Sequence, residues 1–238
     1  MLTPKRPLVE VAVDSVASAV AAEAAGADRL ELCQCLELGG LTPSLGLLEA
    51  VRRRVSIPVF LMVRSVTGPF RYDGPETGVM ASDVKRAGEA GAAGVVIGAL
   101  TADGRIDREV VRAMVLAAGT IPVTFHRAFD LVADVPGALE ELVSLGVTRV
   151  LTSGGPSTAF AGRSALADMV RRSAGRLTIL AGGGVRADHV AELVRTSGVS
   201  EVHLSGVVAD EQTPAQPGYG QAFLPAQARV EAVLAALR

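Results

Sequence analysis

Four segments of the chain share one order of parts: an Ala-rich or amphipathic helix, a glycine, then a short apolar strand. They are AAEAAGADRLELC, RAGEAGAAGVVIG, ELVSLGVTRVLTS and LVRTSGVSEVHLS, with Gly26, Gly91, Gly146 and Gly198 at the joints. A helix ends well on a left-handed residue, and glycine adopts that conformation without a side-chain clash. Between these segments lie four strands of a different entry: LVEVAV from Leu8, IPVFLMV from Ile57, IPVTFHR from Ile121 and RLTILAG from Arg176. Two of them open on Ile-Pro, and proline is tolerated at a strand's first position. The two sets interleave strictly, so eight strands alternate with helices.

The four glycines are 65, 55 and 52 residues apart, about two strand-helix units each. In a chain of 238 residues this pattern predicts a (β/α)8 TIM barrel folded as a single domain over residues 1–238. A doubly wound open sheet is the alternative. It is the weaker fit, because the period runs to the eighth strand with no change of composition. After that strand, Val207 to Phe223 is rich in Pro, Gly and Gln, and is expected to be either a lid over the barrel mouth or a disordered connector. A final helix is expected from about Pro225 to Arg238.

Composition narrows the function classes. Lys and Arg total 23 against 25 Asp and Glu, basic residues do not cluster, and aromatics make up only 3%. Nucleic acid therefore finds neither an electrostatic nor a stacking platform. Glu10, Asp14 and Glu23 interrupt the first apolar stretch before a membrane span or secretory core is reached, so a soluble cytoplasmic protein is expected. In an extended strand, residues two apart are about 6.6 Å apart at Cα, near the upper limit for a disulfide. With cytosolic thiols kept reduced, Cys33 and Cys35 are expected to be free.

Barrel enzymes place their chemistry at the C-terminal ends of strands, while strand interiors are normally apolar. The exceptions here are Glu10 and Asp14 on strand one, Glu31 on strand two, Arg64 ending strand three, and His126, Arg127 and Asp130 at the end of strand five. Period-two alternation puts Glu31, Cys33 and Cys35 on one face and Phe60, Met62 and Arg64 on another. If those faces point inward, Glu10 or Glu31 suits a general base, His126 a proton donor or acceptor, and Arg64 a clamp for a carboxylate or phosphate. The competing expectation is an ion-pair network that only holds the barrel together.

Three late loops carry small residues where a barrel often grips an anion: Ser153, Gly154 and Gly155 after strand six; Gly182, Gly183 and Gly184 after strand seven; Ser205 and Gly206 after strand eight. Glycines let backbone amides approach a charged group, although tight turns also want them. His189, on the following helix, and His203, within strand eight, are expected to be structural. Cys33 and Cys35, with Met62 and His126 on neighbouring walls, form a soft-ligand set suited to Cu(I) or zinc, or simply packed core. A lone C-x-C lacks the second pair that marks a zinc ribbon.

With these residues in place, the chain resembles the CutC family of copper homeostasis proteins. The resemblance rests on EVAVDS from Glu10, DRLELC from Asp28, GGLTPS from Gly39, the MVR end of strand three, GVVIGALTADGRID from Gly94, PVTFHRAFD from Pro122, RVLTSGG from Arg149 and AGGGVRADHV from Ala181. It implies a barrel, a cytoplasmic location, a homo-oligomer (a dimer being the expected size), and a role in copper handling with copper bound as Cu(I). Family motif positions fall on Glu10, Cys33, Arg64, His126, Arg127 and Asp130. The resemblance fixes no reaction. The family usually carries a small or polar residue in place of Cys35, and many members carry Cys in place of Ala12. Three functions therefore stand as expectations: a Cu(I)-binding homeostasis protein, a barrel enzyme for a small anionic or phosphorylated metabolite, and a non-catalytic structural or adaptor barrel.

Overall fold

A computed structural model describes residues 6–212 and 222–238. Its strands are β1 (Leu8–Val13), β2 (Arg29–Leu32), β3 (Val59–Met62), β4 (Gly94–Ile97), β5 (Val123–Phe125), β6 (Arg149–Thr152), β7 (Thr178–Gly182) and β8 (Glu201–Ser205). They pair in sequence order, all parallel, and β8 closes on β1. Between and after them run α1 (Val16–Ala24), α2 (Leu45–Arg52), α3 (Gly74–Glu89), α4 (Arg108–Ala118), α5 (Val135–Leu145), α6 (Arg163–Ser173), α7 (Val190–Ser197) and α8 (Gln227–Ala236). This is the (β/α)8 barrel, and the open-sheet alternative is excluded by the β1–β8 pairing.

Alternation along each strand divides the molecule into two interiors. Val9, Val11 and Val13, Leu30 and Leu32, Leu61 and Val63, and Val95 and Ile97 point outward and are buried beneath the helices in one continuous core. Fully burying each such side chain contributes roughly 1.5–3 kcal/mol, which makes this outer shell the main source of stability. The helices begin where short polar side chains cap them. Asp73, Asp107 and Asp134 each accept a bond from an amide in the first turn, and Ser15 forms a reciprocal capping box with Ser18. The four joint glycines all have positive φ, from +71° to +98°.

The residues of opposite parity fill the barrel, and its lower layer is charged. Arg29 bridges Glu10 and Glu201, while Arg149 donates to Glu201 at 2.7 Å and 3.2 Å and to Thr124 at 3.4 Å. Both guanidinium groups lie over the Phe60 ring, 4.9 Å and 5.3 Å from its centre, an arrangement favoured by the negative face of the ring. β4 leaves room for this filling: a Cβ on Gly94 would come within 2.6 Å of the Phe60 ring, and one on Gly98 would overlap the His126 ring.

Beyond β8 the chain forms an antiparallel pair, β9 (Val207–Ala209) with β10 (Phe223–Pro225). The last helix begins at Gln227, two residues after the expected Pro225, because Phe223–Pro225 is taken into this pair. The middle of the stretch expected to be a lid or connector, residues 213–221, lies outside the described residues. No helix among the described residues is long and apolar enough to cross a membrane.

Candidate functional site

Above the charged layer, at the C-terminal mouth, the barrel opens into a cavity of about 510 Å³, within the usual range of roughly 300–1,000 Å³ for small-molecule sites. Glu31 and Cys33 reach it from β2, Met62 from β3, His126 and Arg127 from the end of β5, Gly183 and Gly184 from the β7 loop, and His203 and Ser205 from β8. Alternation explains the convergence. Each of these strands brings its inward-facing residue to the rim one step above the ion-pair layer.

Glu31 and His203 dominate the electrostatics. His203 Nδ1 lies 2.8 Å from Glu10 Oε1, and its Nε2 lies 3.4 Å from Glu31 Oε2. The two carboxylates have opposite environments. For Glu10, burial is outweighed by the hydrogen bond to His203 and by the Arg29 charge, and its pKa falls to about 2. Glu31 is only 2% exposed, its Oε1 has no partner among the described residues, and burial lifts it to about 7 despite His203. Burial opposes the charge on His203, but Glu31 and Glu10 outweigh it and raise its pKa. The atoms of Glu10, Glu31 and His203 lie within 4.8 Å of one another, close enough to hold a metal ion. Arg29 donates to Glu10 Oε2, and Glu10 Oε1 pairs with His203 Nδ1.

His126 is held differently. Its Nδ1 accepts the Ala128 amide at 3.1 Å, so the neutral ring carries its proton on Nε2, which is buried without a partner among the described residues. Burial and the nearby Arg64 charge lower its pKa to about 3. The Phe70 ring, 4.9 Å away, closes one side. Cys33 and Met62 pack in one buried cluster with Phe60 and Val96, and a Cβ at Gly40 would stand 3.4 Å from Cys33 Sγ and 3.5 Å from Met62 Cε. Burial, reinforced by Glu31, Glu10 and Asp14, pushes the Cys33 thiol well above its ordinary pKa.

Several residues expected at the site have other duties. Glu10 belongs to the lower ion-pair layer, and its stabilised carboxylate is a poor base. Arg64 donates to the carbonyls of Leu38 at 2.9 Å, Gly40 at 3.1 Å and Gly68 at 3.3 Å, organising two loops, while its buried Nε has no partner among the described residues. Cys35 does not share the Cys33 face. The regular strand ends at Leu32, Cys35 sits at φ +52°, and its thiol is exposed. Both thiols are free.

Asp130 takes the Ser153 amide at 3.0 Å and the Ser153 hydroxyl at 2.9 Å, while the Gly154 amide goes to Thr152. The loop after β6 thus has a carboxylate of its own where an external anion was expected, and Gly155 is exposed and outside the cavity lining. Gly206 donates its amide to the Ala12 carbonyl at 2.7 Å. Gly183, Gly184 and Ser205 do line the cavity, together with Arg127.

Sequence reasoning passed over Arg29, Arg149 and Glu201, and gave His203 only a structural place. The signal was available in the alternation that paired Glu31 with Cys33. Extended one step back it reaches Arg29, and on β8 the same parity joins Glu201, His203 and Ser205.

The pattern that defines the CutC family matches residues 7–208. The human copper homeostasis protein cutC homolog is 46% identical over 198 residues, covering 83% of this chain and 72% of that protein. A CutC family protein of Histophilus somni is 46% identical over 197 residues, covering 83% of this chain and 81% of its own. Among solved structures, the putative copper homeostasis protein CutC of Streptococcus agalactiae is similar with a TM-score of 0.79 and 30% identity, over 83% of this chain and 97% of that one.

Proposed function

The chain belongs to the CutC family, and from that premise we propose that it acts in copper homeostasis as a cytoplasmic homodimer that binds Cu(I) through Cys33 and Met62. One observation carries the reading: the two sulfur-bearing side chains of the cavity meet over Gly40 on one wall. Thiolate and thioether are the soft ligands that Cu(I) prefers, whereas the carboxylate and imidazole cluster nearby is harder and already engaged by Arg29. The protonated Cys33 thiol must release its proton to the solvent as the metal enters, so binding strengthens as pH rises. Ala12 stands where many family members carry Cys, so this site has fewer sulfurs than some of its relatives. Anaerobic titration against a chromophoric Cu(I) chelator tests it. Wild type and Cys35→Ser should each bind one Cu(I) per chain, and Cys33→Ser should lose the site. If a Cys33→Ser/Met62→Leu variant binds as tightly as wild type, the reading is wrong.

A second reading, a barrel enzyme for a small anionic metabolite, is favoured by Glu31. A carboxyl group held near 7 beside an imidazole suits proton transfer at neutral pH and contributes nothing to a sulfur site for copper. The open mouth speaks against a purely structural barrel.

A further inference from the structure

We propose that the mouth cavity binds a small organic anion bearing a carbonyl group, with its charged end held by Arg127, Arg186 and Arg229 and its carbonyl directed at His126. The starting point is a pair of orphaned polar atoms. Glu31 Oε1 and His126 Nε2 are both buried, lack partners among the described residues, and belong to residues lining this cavity. A buried polar group without a partner costs about 1–3 kcal/mol, so two such atoms on residues that line one cavity favour a ligand that supplies polar atoms there. The Nδ1 bond to Ala128 fixes His126 as a donor at Nε2, so its complement is an acceptor, which a carbonyl oxygen supplies.

Charge at the rim determines the other end of the ligand. Arg127, Arg186 and Arg229 all line the cavity, and Glu31 is the one carboxylate among its lining residues. Arg127 and Arg186 lean on Asp130 and Asp188, neither of which reaches the lining, and Arg229 donates to the Val207 carbonyl at 3.3 Å. The lining therefore holds three guanidinium groups against one carboxylate. The amides of Gly183 and Gly184 take no hydrogen bond among the described residues, and positive φ angles of +107° and +64° turn this loop into the tight conformation that glycine permits. Guanidinium groups and backbone amides bind carboxylate and phosphate alike. The site goes beyond the copper reading and uses other side chains of the same cavity. It rests on the enzyme reading only for Glu31, which would take a proton from the carbon beside the carbonyl and return it, while His126 donates to the developing enolate oxygen. No other reactant is consumed.

Isothermal calorimetry on the whole chain with inorganic phosphate, dihydroxyacetone phosphate and pyruvate tests binding and separates the two anion types. At least one carbonyl compound should bind at millimolar concentration or better, about tenfold tighter than inorganic phosphate. An Arg186→Gln/Arg229→Gln variant should weaken it about tenfold, because both side chains are exposed and neither supports the core. Cys35→Ser, at an exposed thiol outside the cavity lining, should leave it unchanged. No heat from any of the three compounds, or undiminished binding in the double-arginine variant, would overturn the site. Proton NMR in deuterium oxide then follows C–H exchange of the bound compound. Exchange lost in Glu31→Gln supports both proposals, whereas binding without exchange keeps the anion site and removes the enzyme reading.

Discussion

Glu31→Gln should stabilise this protein at alkaline pH and leave it unchanged in mild acid. The Glu31 carboxyl rises from 4.5 to about 7 on folding, first through burial and then through Glu10. Its folded form therefore holds a proton that the unfolded chain has released. The resulting stability is fully present below the unfolded pKa and is lost as pH rises through the folded one. His203, also raised, contributes in the same direction: stability present below its unfolded pKa fades as pH passes the folded value. At about 1.4 kcal/mol per pKa unit, the Glu31 shift corresponds to about 3 kcal/mol. In a chain of this size that is on the order of 6–12 °C in Tm. Glutamine has nearly the shape of the protonated acid and never acquires the charge. Urea unfolding followed by circular dichroism should therefore give similar midpoints for the two proteins near pH 4. Near pH 8 the variant should be ahead by about 3 kcal/mol. A constant gap between the two at both pH values, or a variant less stable near pH 8, would refute the assignment of a buried, proton-holding Glu31.

The charged layer and the glycine that admits His126 make two further expectations. Arg29→Met should cost about 3–5 kcal/mol by denaturant midpoint, since it leaves Glu10 and Glu201 buried without their shared partner. A midpoint within experimental error of wild type would show that Arg149 alone compensates. Gly98→Ala should cost about 1–3 kcal/mol by the same measurement, because the new methyl overlaps the His126 ring. A structure of that variant with His126 unmoved would contradict the packing described.

The barrel was legible because its signals are local. Each joint glycine lies beside the helix it ends, and each strand shows its own alternation, so eight strands and their order could be read without any contact map. The parts that escaped depend on long-range pairing. Arg29 finds Glu201 from 172 residues away, and Arg149 finds it from 52, separations at which no sequence period operates. Asp130 illustrates the same limit: as sequence it looks like an acid for the pocket, and only folding shows it on the Ser153 amide. Cys35 failed for a local reason. The alternation that held through Cys33 was carried past the end of the regular strand, although Gly39 and Gly40 in QCLELGG already signalled a turn nearby.

The lower ion-pair layer also divides along the chain. Glu10 and Arg29 belong to the first four strands, Arg149 and Glu201 to the last four, and each set sums to zero charge. Electrically the barrel is two self-neutral halves, stitched together by the Arg29–Glu201 bridge and by a Phe60 ring that cations from both halves share. The closure of this protein thus carries its own alignment mark: the halves meet in register when one arginine from the early chain finds one glutamate from the late chain.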